Sequence, residues 1–98
     1  MAFAVEVILT GVTKAQYDEV RAKVGWLDDA PEGGFAHIAW WEGDDNHNLD
    51  VWESEAAFAA FGENRLGPAL AAVGITVEPK AVFHEAHEVF LPSARTLT

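Results

Sequence analysis

The side chains best suited to chemistry in this sequence are imidazoles and carboxylates: four histidines and sixteen Asp and Glu, with no cysteine. The missing thiol excludes disulfide staples, thiolate zinc sites, iron–sulfur clusters and cysteine nucleophiles. His37 is the strongest candidate. With Asp50 or Glu6 beside it, its ring would be a tuned general acid or base; the competing expectation is a structural hydrogen bond inside a sheet. Polar groups buried in a sheet must be paired, and such groups gather at sites. A second cluster, His84-Glu-Ala-His-Glu88, has a metal-like composition. Zinc-protease spacing, however, needs two histidines four apart on one helical face, and these are three apart on a predicted strand, where they point to opposite faces. Glu85 with His87, or His84 with Glu88, supplies two ligands, and His37 or Glu6 would have to supply a third. Solvated strand residues are the plainer expectation, and no metal site is assigned. Trp41 and Trp52 form a flat wall for an aromatic ligand if they line a cavity, Tyr17 could turn its hydroxyl into the same space, and Trp40 is expected to be plain core. The Asp28-Asp29 and Asp44-Asp45 pairs are solvated surface, since calcium needs denser oxygen ligands. No glycine-rich phosphate loop, nucleophile elbow or dinucleotide fingerprint is present.

These residues need a scaffold, and the sequence spells one out. Phe3, Val5, Val7 and Leu9 alternate with Ala4, Glu6 and Ile8, the period of a strand. Thr13-Lys-Ala-Gln16 fits a capping box and opens a helix whose apolar stripe is Tyr17, Val20, Val24 and Leu27, with Gly25 at its end. Residues 28–34 have turn chemistry. Strands over Phe35–Trp41 and His47–Glu53 flank Glu42-Gly-Asp-Asp-Asn46, a hairpin tip. Ser54 caps a second helix carrying Ala57, Phe58, Phe61, Leu66, Leu70 and Val73, and Gly67-Pro68 predicts a kink or short break within it. Gly74 closes it, a last strand runs over Lys80–Val89, and residues 91–98 form a tail that is mobile or lies on a partner. The order βαββαβ predicts an α+β, ferredoxin-like domain: a four-stranded antiparallel sheet with both helices on one face.

A two-residue turn at Asp44-Asp45 would set His37 opposite Trp52 and Ala39 opposite Asp50. One face then collects Ile38, Trp40, Leu49 and Val51, joined by the apolar row Phe3 to Leu9. The other collects His37, Trp41, Asn48, Asp50 and Trp52, and Glu6 with them. Helices cover only one face, and neither looks like an ordinary wet surface, so a second copy is expected to cover the apolar one.

Composition agrees with this. The 98 residues allow one domain (core 2–90, tail 91–98) that is marginal alone, which again favours an obligate homodimer. Net charge −10 disfavours nucleic acid and anionic membrane, while 50% hydrophobic residues and eleven aromatics exclude a disordered acidic solubiliser. The first six residues lack a basic n-region and meet Glu6 too early for a signal peptide, and no apolar run approaches a membrane span, so a soluble cytoplasmic protein is expected.

Across nearly the whole chain, Gly11-Val-Thr-Lys-Ala-Gln-Tyr-Asp18, the strand with Phe35-Ala-His37, Leu49-Asp-Val-Trp-Glu-Ser-Glu-Ala-Ala-Phe58 and Arg65-Leu-Gly-Pro-Ala-Leu70 resemble the dimeric α/β barrel superfamily. Within it they are most similar to small antibiotic biosynthesis monooxygenase-like proteins of an uncharacterised actinobacterial branch. The resemblance implies a pocket between sheet and helices that would hold Glu6, His37, Asp50 and Trp52. It also implies a role for His87, which resembles a histidine near the end of that branch's last strand; Glu88 stands where the branch has asparagine. That superfamily includes cofactor-independent oxygenases of polycyclic phenols, lactone isomerases and haem-degrading enzymes. The expectation is therefore a small-molecule enzyme without a resident cofactor. His37, Asp50, Glu6 and His87 would be its catalytic groups, and Trp41, Trp52 and Tyr17 its ligand contacts. The alternatives are a non-catalytic ligand-binding or accessory dimer and a haem- or metal-binding protein.

Overall fold

A computed structural model of the chain describes residues 1–93, 96 and 97. It runs β1 (Phe3–Leu9), α1 (Lys14–Val24), β2 (Gly34–Glu42), β3 (Asp45–Trp52), α2 (Glu55–Phe61), a π-helical turn (Gly62–Leu66), α3 (Gly67–Val73) and β4 (Lys80–Glu85). The four strands form one antiparallel sheet in the order β2-β3-β1-β4, the ferredoxin-like arrangement expected. Val5, Val7 and Leu9 of β1 form one buried core with Val20 and Val24 of α1 and Leu70 of α3, so the helices lie on the face that carries the apolar row of β1.

Local chemistry sets most boundaries. The Thr13 side chain accepts from the Gln16 amide while Gln16 reaches back to the Thr13 amide, completing the capping box. Gly25 ends α1 in the left-handed region at φ 71°. Leu27 therefore lies beyond the helix and is exposed instead of continuing its stripe. Ser54 caps α2 through the Ala57 amide. The interruption expected at Gly67-Pro68 takes the form of the π-helical turn, with right-handed helical backbone kept on both sides. A Cβ at Gly67 would lie 2.9 Å from the Gly62 carbonyl oxygen, so only glycine fits there.

The register differs from the expected one in two ways that matter to the site. Glu42 pairs with Asp45, so the hairpin turns at Gly43-Asp44 and not at Asp44-Asp45. Gly43 supplies the positive φ, 61°, that a tight hairpin turn requires at its first central position. His37 then pairs directly with Asp50, and Trp52 pairs with Gly34 across a bulge at Phe35. The second difference is the side taken by β1. Val5 pairs with Asp50 and Glu6 with Leu49, and direct antiparallel partners share a face. Phe3, Val5, Val7 and Leu9 accordingly sit with Asp50 under the helices, whereas Glu6 joins Ile38, Trp40, Leu49 and Val51 on the open face. The expected grouping of Glu6 with His37 is thus overturned.

β4 stops at Glu85, short of the expected Val89. The Ala86 amide donates to the Ala2 carbonyl at 2.9 Å, and β1 begins at Phe3, so β4 runs out of neighbouring strand. Of the tail, Ala94, Arg95 and Thr98 lie outside the described residues. No helix among the described residues is long and apolar enough to cross a membrane.

Candidate functional site

β3 sets an unusual row under the helices: Asn46, Asn48, Asp50 and Trp52 are all buried, alternating with residues of the open face. A carboxylate in that position must be paired, and Asp50 is paired twice. Its Oδ1 lies 2.7 Å from His37 Nδ1, and its Oδ2 accepts from Trp52 Nε1 at 3.1 Å. Trp52 is completely buried, so it acts as core and as a donor to Asp50 and offers no surface as a ligand wall. The His37 side chain keeps 28% of its surface exposed against 6% for Asp50, because β2 is an edge strand.

The far ring nitrogen of His37 is also occupied. Tyr17 Oη lies 2.6 Å from His37 Nε2. The two rings are within 6° of parallel with centroids 6.0 Å apart, which with that short contact is an end-on hydrogen bond and not face stacking. Burial raises the Tyr17 phenol above its ordinary value; Arg21 opposes the shift, and Asp50 and Asp18 add to it. An ionised carboxylate can only accept, so Nδ1–H donates to Asp50, and in the neutral ring Nε2 then accepts from the Tyr17 O–H. Asp50, His37 and Tyr17 form one continuous hydrogen-bonded chain running outward from the core.

Aromatic rings hold this chain in place. Trp26 lies 5.5 Å from His37 and meets Trp52 edge-on at 5.5 Å. Gly34 makes room for it: a Cβ there would come within 3.1 Å of Trp26 and 3.2 Å of Trp52. The guanidinium of Arg65 donates to the carbonyls of Val24 and Asp29, both at 2.6 Å, tying down the segment that carries Trp26. Trp41 donates to the Val12 carbonyl at 2.8 Å and meets Tyr17 edge-on at 5.5 Å. Farther along the buried row, Asn48 donates to the Val7 carbonyl and to Asn46 Oδ1, but its own Oδ1 is buried without a partner. An orphaned acceptor of this kind calls for a water or a ligand hydroxyl.

The structure thus joins His37, Asp50, Tyr17, Trp41 and Trp52, and separates the other candidates from them. Glu6 lies on the open face, where its Oε1 is 2.8 Å from His84 Nε2. His87 sits in an exposed bend past β4. Trp40, expected in the core, is 38% exposed on the open face, with its Nε1 on Glu42. No three His, Asp or Glu side chains among the described residues come together as a metal-ligand set. Two surface depressions, of about 430 and 270 Å³, share Asn64 and Arg65, and His37 lines neither. Trp26 and Asn48 are contributors to which sequence analysis assigned no role. The αL turn at Gly25 that exposes Leu27 sends Trp26 inward, and nothing in periodicity marks that exchange. Asn48 could be placed on this face by alternation, but its unpartnered oxygen is visible only in three dimensions.

No family model matches the chain, and no curated protein does. Solved structures do. NE2512, a protein of unknown function from Nitrosomonas europaea, has TM-score 0.71 and 21% identity over 95% of this chain and 96% of its own. SnoaB, a cofactor-independent oxygenase from Streptomyces nogalater, has TM-score 0.63 and 18% identity over 94% of this chain and 97% of its own. A candidate antibiotic biosynthesis monooxygenase from Caulobacter crescentus has TM-score 0.65 and 20% identity, covering 89% and 91%. The chain therefore has the fold of the antibiotic biosynthesis monooxygenase-like α/β proteins.

Tyr17 is the chain's one tyrosine, so phenolate absorbance reports on it alone. In the folded protein its midpoint is expected above 10.0, returning to 10.0 in denaturant. Since the native state then holds a proton that the unfolded state releases, stability falls as pH rises from 10.0 towards the folded midpoint. A folded midpoint at or below 10.0 contradicts the buried phenol.

Proposed function

We propose that this protein is a small-molecule enzyme working by acid–base chemistry without a resident cofactor, as a homodimer in the cytoplasm. The observation that carries this is the Asp50–His37–Tyr17 chain, built on the helix-covered face of the sheet. A carboxylate fixing one ring nitrogen leaves the other to take up a proton, here by way of the Tyr17 hydroxyl bonded to it. Removing a proton from a phenol or activated carbon yields a phenolate or enolate that can react with oxygen, rearrange or close a ring. The ligand is then aromatic or polyketide-like, with Trp41 and Tyr17 at its edge. Oxygenation, isomerisation and cyclisation remain the reaction types that fit. Likeness to an oxygenase fold supports the reading at the level of the class, and the sequence stretches quoted above favour the actinobacterial branch. We assign the whole chain, 1–98, to one domain.

The homodimer is supported by the open face. Ile38 is 57% exposed there with Trp40 exposed beside it, Leu49 and Val51 lie on the next strand, and Val82 is exposed at the opposite edge, beyond Glu6. Apolar surface gathered on one sheet face marks an interface, and a second copy of the same face covers it with two-fold symmetry.

A second reading, a non-catalytic ligand-binding or accessory dimer, is favoured by two observations: Tyr17 satisfies His37 Nε2 from within the chain, and neither surface depression described above is lined by His37. Turnover separates the two. Against a pool of aromatic phenols and polyketide-like ketones, His37→Ala is expected to lose on the order of 10²–10⁴-fold in product formation. An unchanged product profile removes the histidine from the mechanism. Separately, sedimentation is expected to give two chains for the native protein and one for Ile38→Glu, whose side chain a lone monomer leaves in water. A monomeric native protein contradicts the interface.

A further inference from the structure

We propose that Tyr17, not His37, is the group that exchanges the proton with the ligand, and that His37 and Asp50 act through it. This rests on the acid–base function proposed above. Both ring nitrogens of His37 are engaged within the chain, Nδ1 by Asp50 at 2.7 Å and Nε2 by Tyr17 at 2.6 Å, and its ring is flanked by Trp26. An imidazole held on both sides has no lone pair left to present. The outer end of the hydrogen-bonded chain is the phenolic oxygen, which has acceptor capacity beyond the proton it donates to His37. Tyr17 also meets Trp41 edge-on, and Lys14 Nζ lies 5.8 Å over the Trp41 ring, so the phenol stands beside an aromatic and cationic edge.

The transfer balances without an added co-reactant. An activated C–H of the ligand gives its proton to Tyr17 Oη as the Tyr17 O–H proton moves to His37 Nε2. The ligand is left as an enolate, Tyr17 as a neutral phenol, and His37 as an imidazolium paired with the Asp50 carboxylate. Burial that keeps Tyr17 protonated at rest suits this role, because the phenol gives up its own proton only as it gains another. The ligand class that follows is a carbonyl compound with an acidic carbon next to the carbonyl. A direct histidine base would need Tyr17 to move aside first.

The test uses the whole protein and 2-tetralone as the probe. Nitrogen-15 NMR of His37 is expected to show the Nδ1–H tautomer, with an Nε2 resonance that moves in Tyr17→Phe while the fold is kept. Deuterium exchange of the probe's activated carbon in heavy water is expected to be accelerated by the native protein. In Tyr17→Phe the turnover rate should drop on the order of 10²-fold with little change in probe affinity. Tyr17→Phe that keeps the native exchange rate, or changes affinity alone, overturns the assignment to Tyr17 while leaving His37 as the base. An unmoved Nε2 resonance, or an Nε2–H tautomer, overturns it as well. A native protein that shows the NMR signature but no exchange overturns the acid–base function itself, and the role of Tyr17 with it.

Discussion

The structure turns on a carboxylate placed under a layer of helices. Asp50 sits on a central strand among Val5, Val7 and Trp52, where a charge without partners costs several kcal/mol. Its two oxygens answer that cost differently. One takes the indole N–H of Trp52, which commits the largest side chain of the core to a fixed position, and the other takes an imidazole from the edge strand. The hairpin turn at Gly43-Asp44 is what brings that imidazole directly opposite. A turn one residue later would keep His37 on the same face but set it against Trp52. The core, the hairpin and the candidate site therefore share one constraint.

The two faces of the sheet solve different problems. The helix-covered face mixes apolar β1 residues with the polar row of β3, and most of its polar atoms find partners inside the chain. The open face carries an apolar patch of Ile38, Trp40, Leu49, Val51 and Val82, bordered by Glu6 with His84 and by Glu42, Asp45, His47 and Lys80. The homodimer proposed above would bury that apolar patch against its own copy.

Much of this was legible in the sequence because it rests on local rules. The capping box at Thr13, the Ser54 cap and the glycine stops at Gly25 and Gly74 are short-range chemistry and stand where expected. Alternation placed His37 and Asp50 on one face even though the exact register was off, since any even shift preserves parity. The failures came from pairings between distant segments. Which face of β1 joins Asp50 depends on the β1–β3 register, and Glu6 was misplaced because apolar rows were matched with apolar rows. The length of β4 depends on where β1 begins. Trp26 entered the site through the αL turn after α1, and the Tyr17 contact needed the helix laid at its true angle across the sheet.

Asp50 and His37 act as one unit within the folded chain. A double-mutant cycle with Asp50→Ala and His37→Ala, followed by denaturant unfolding at fixed protein concentration, measures that directly. The two losses are expected not to add, with a coupling of roughly 0.5–3 kcal/mol. Effects that sum to within about 0.5 kcal/mol would mean the two side chains stand independently, and the site as described would not exist.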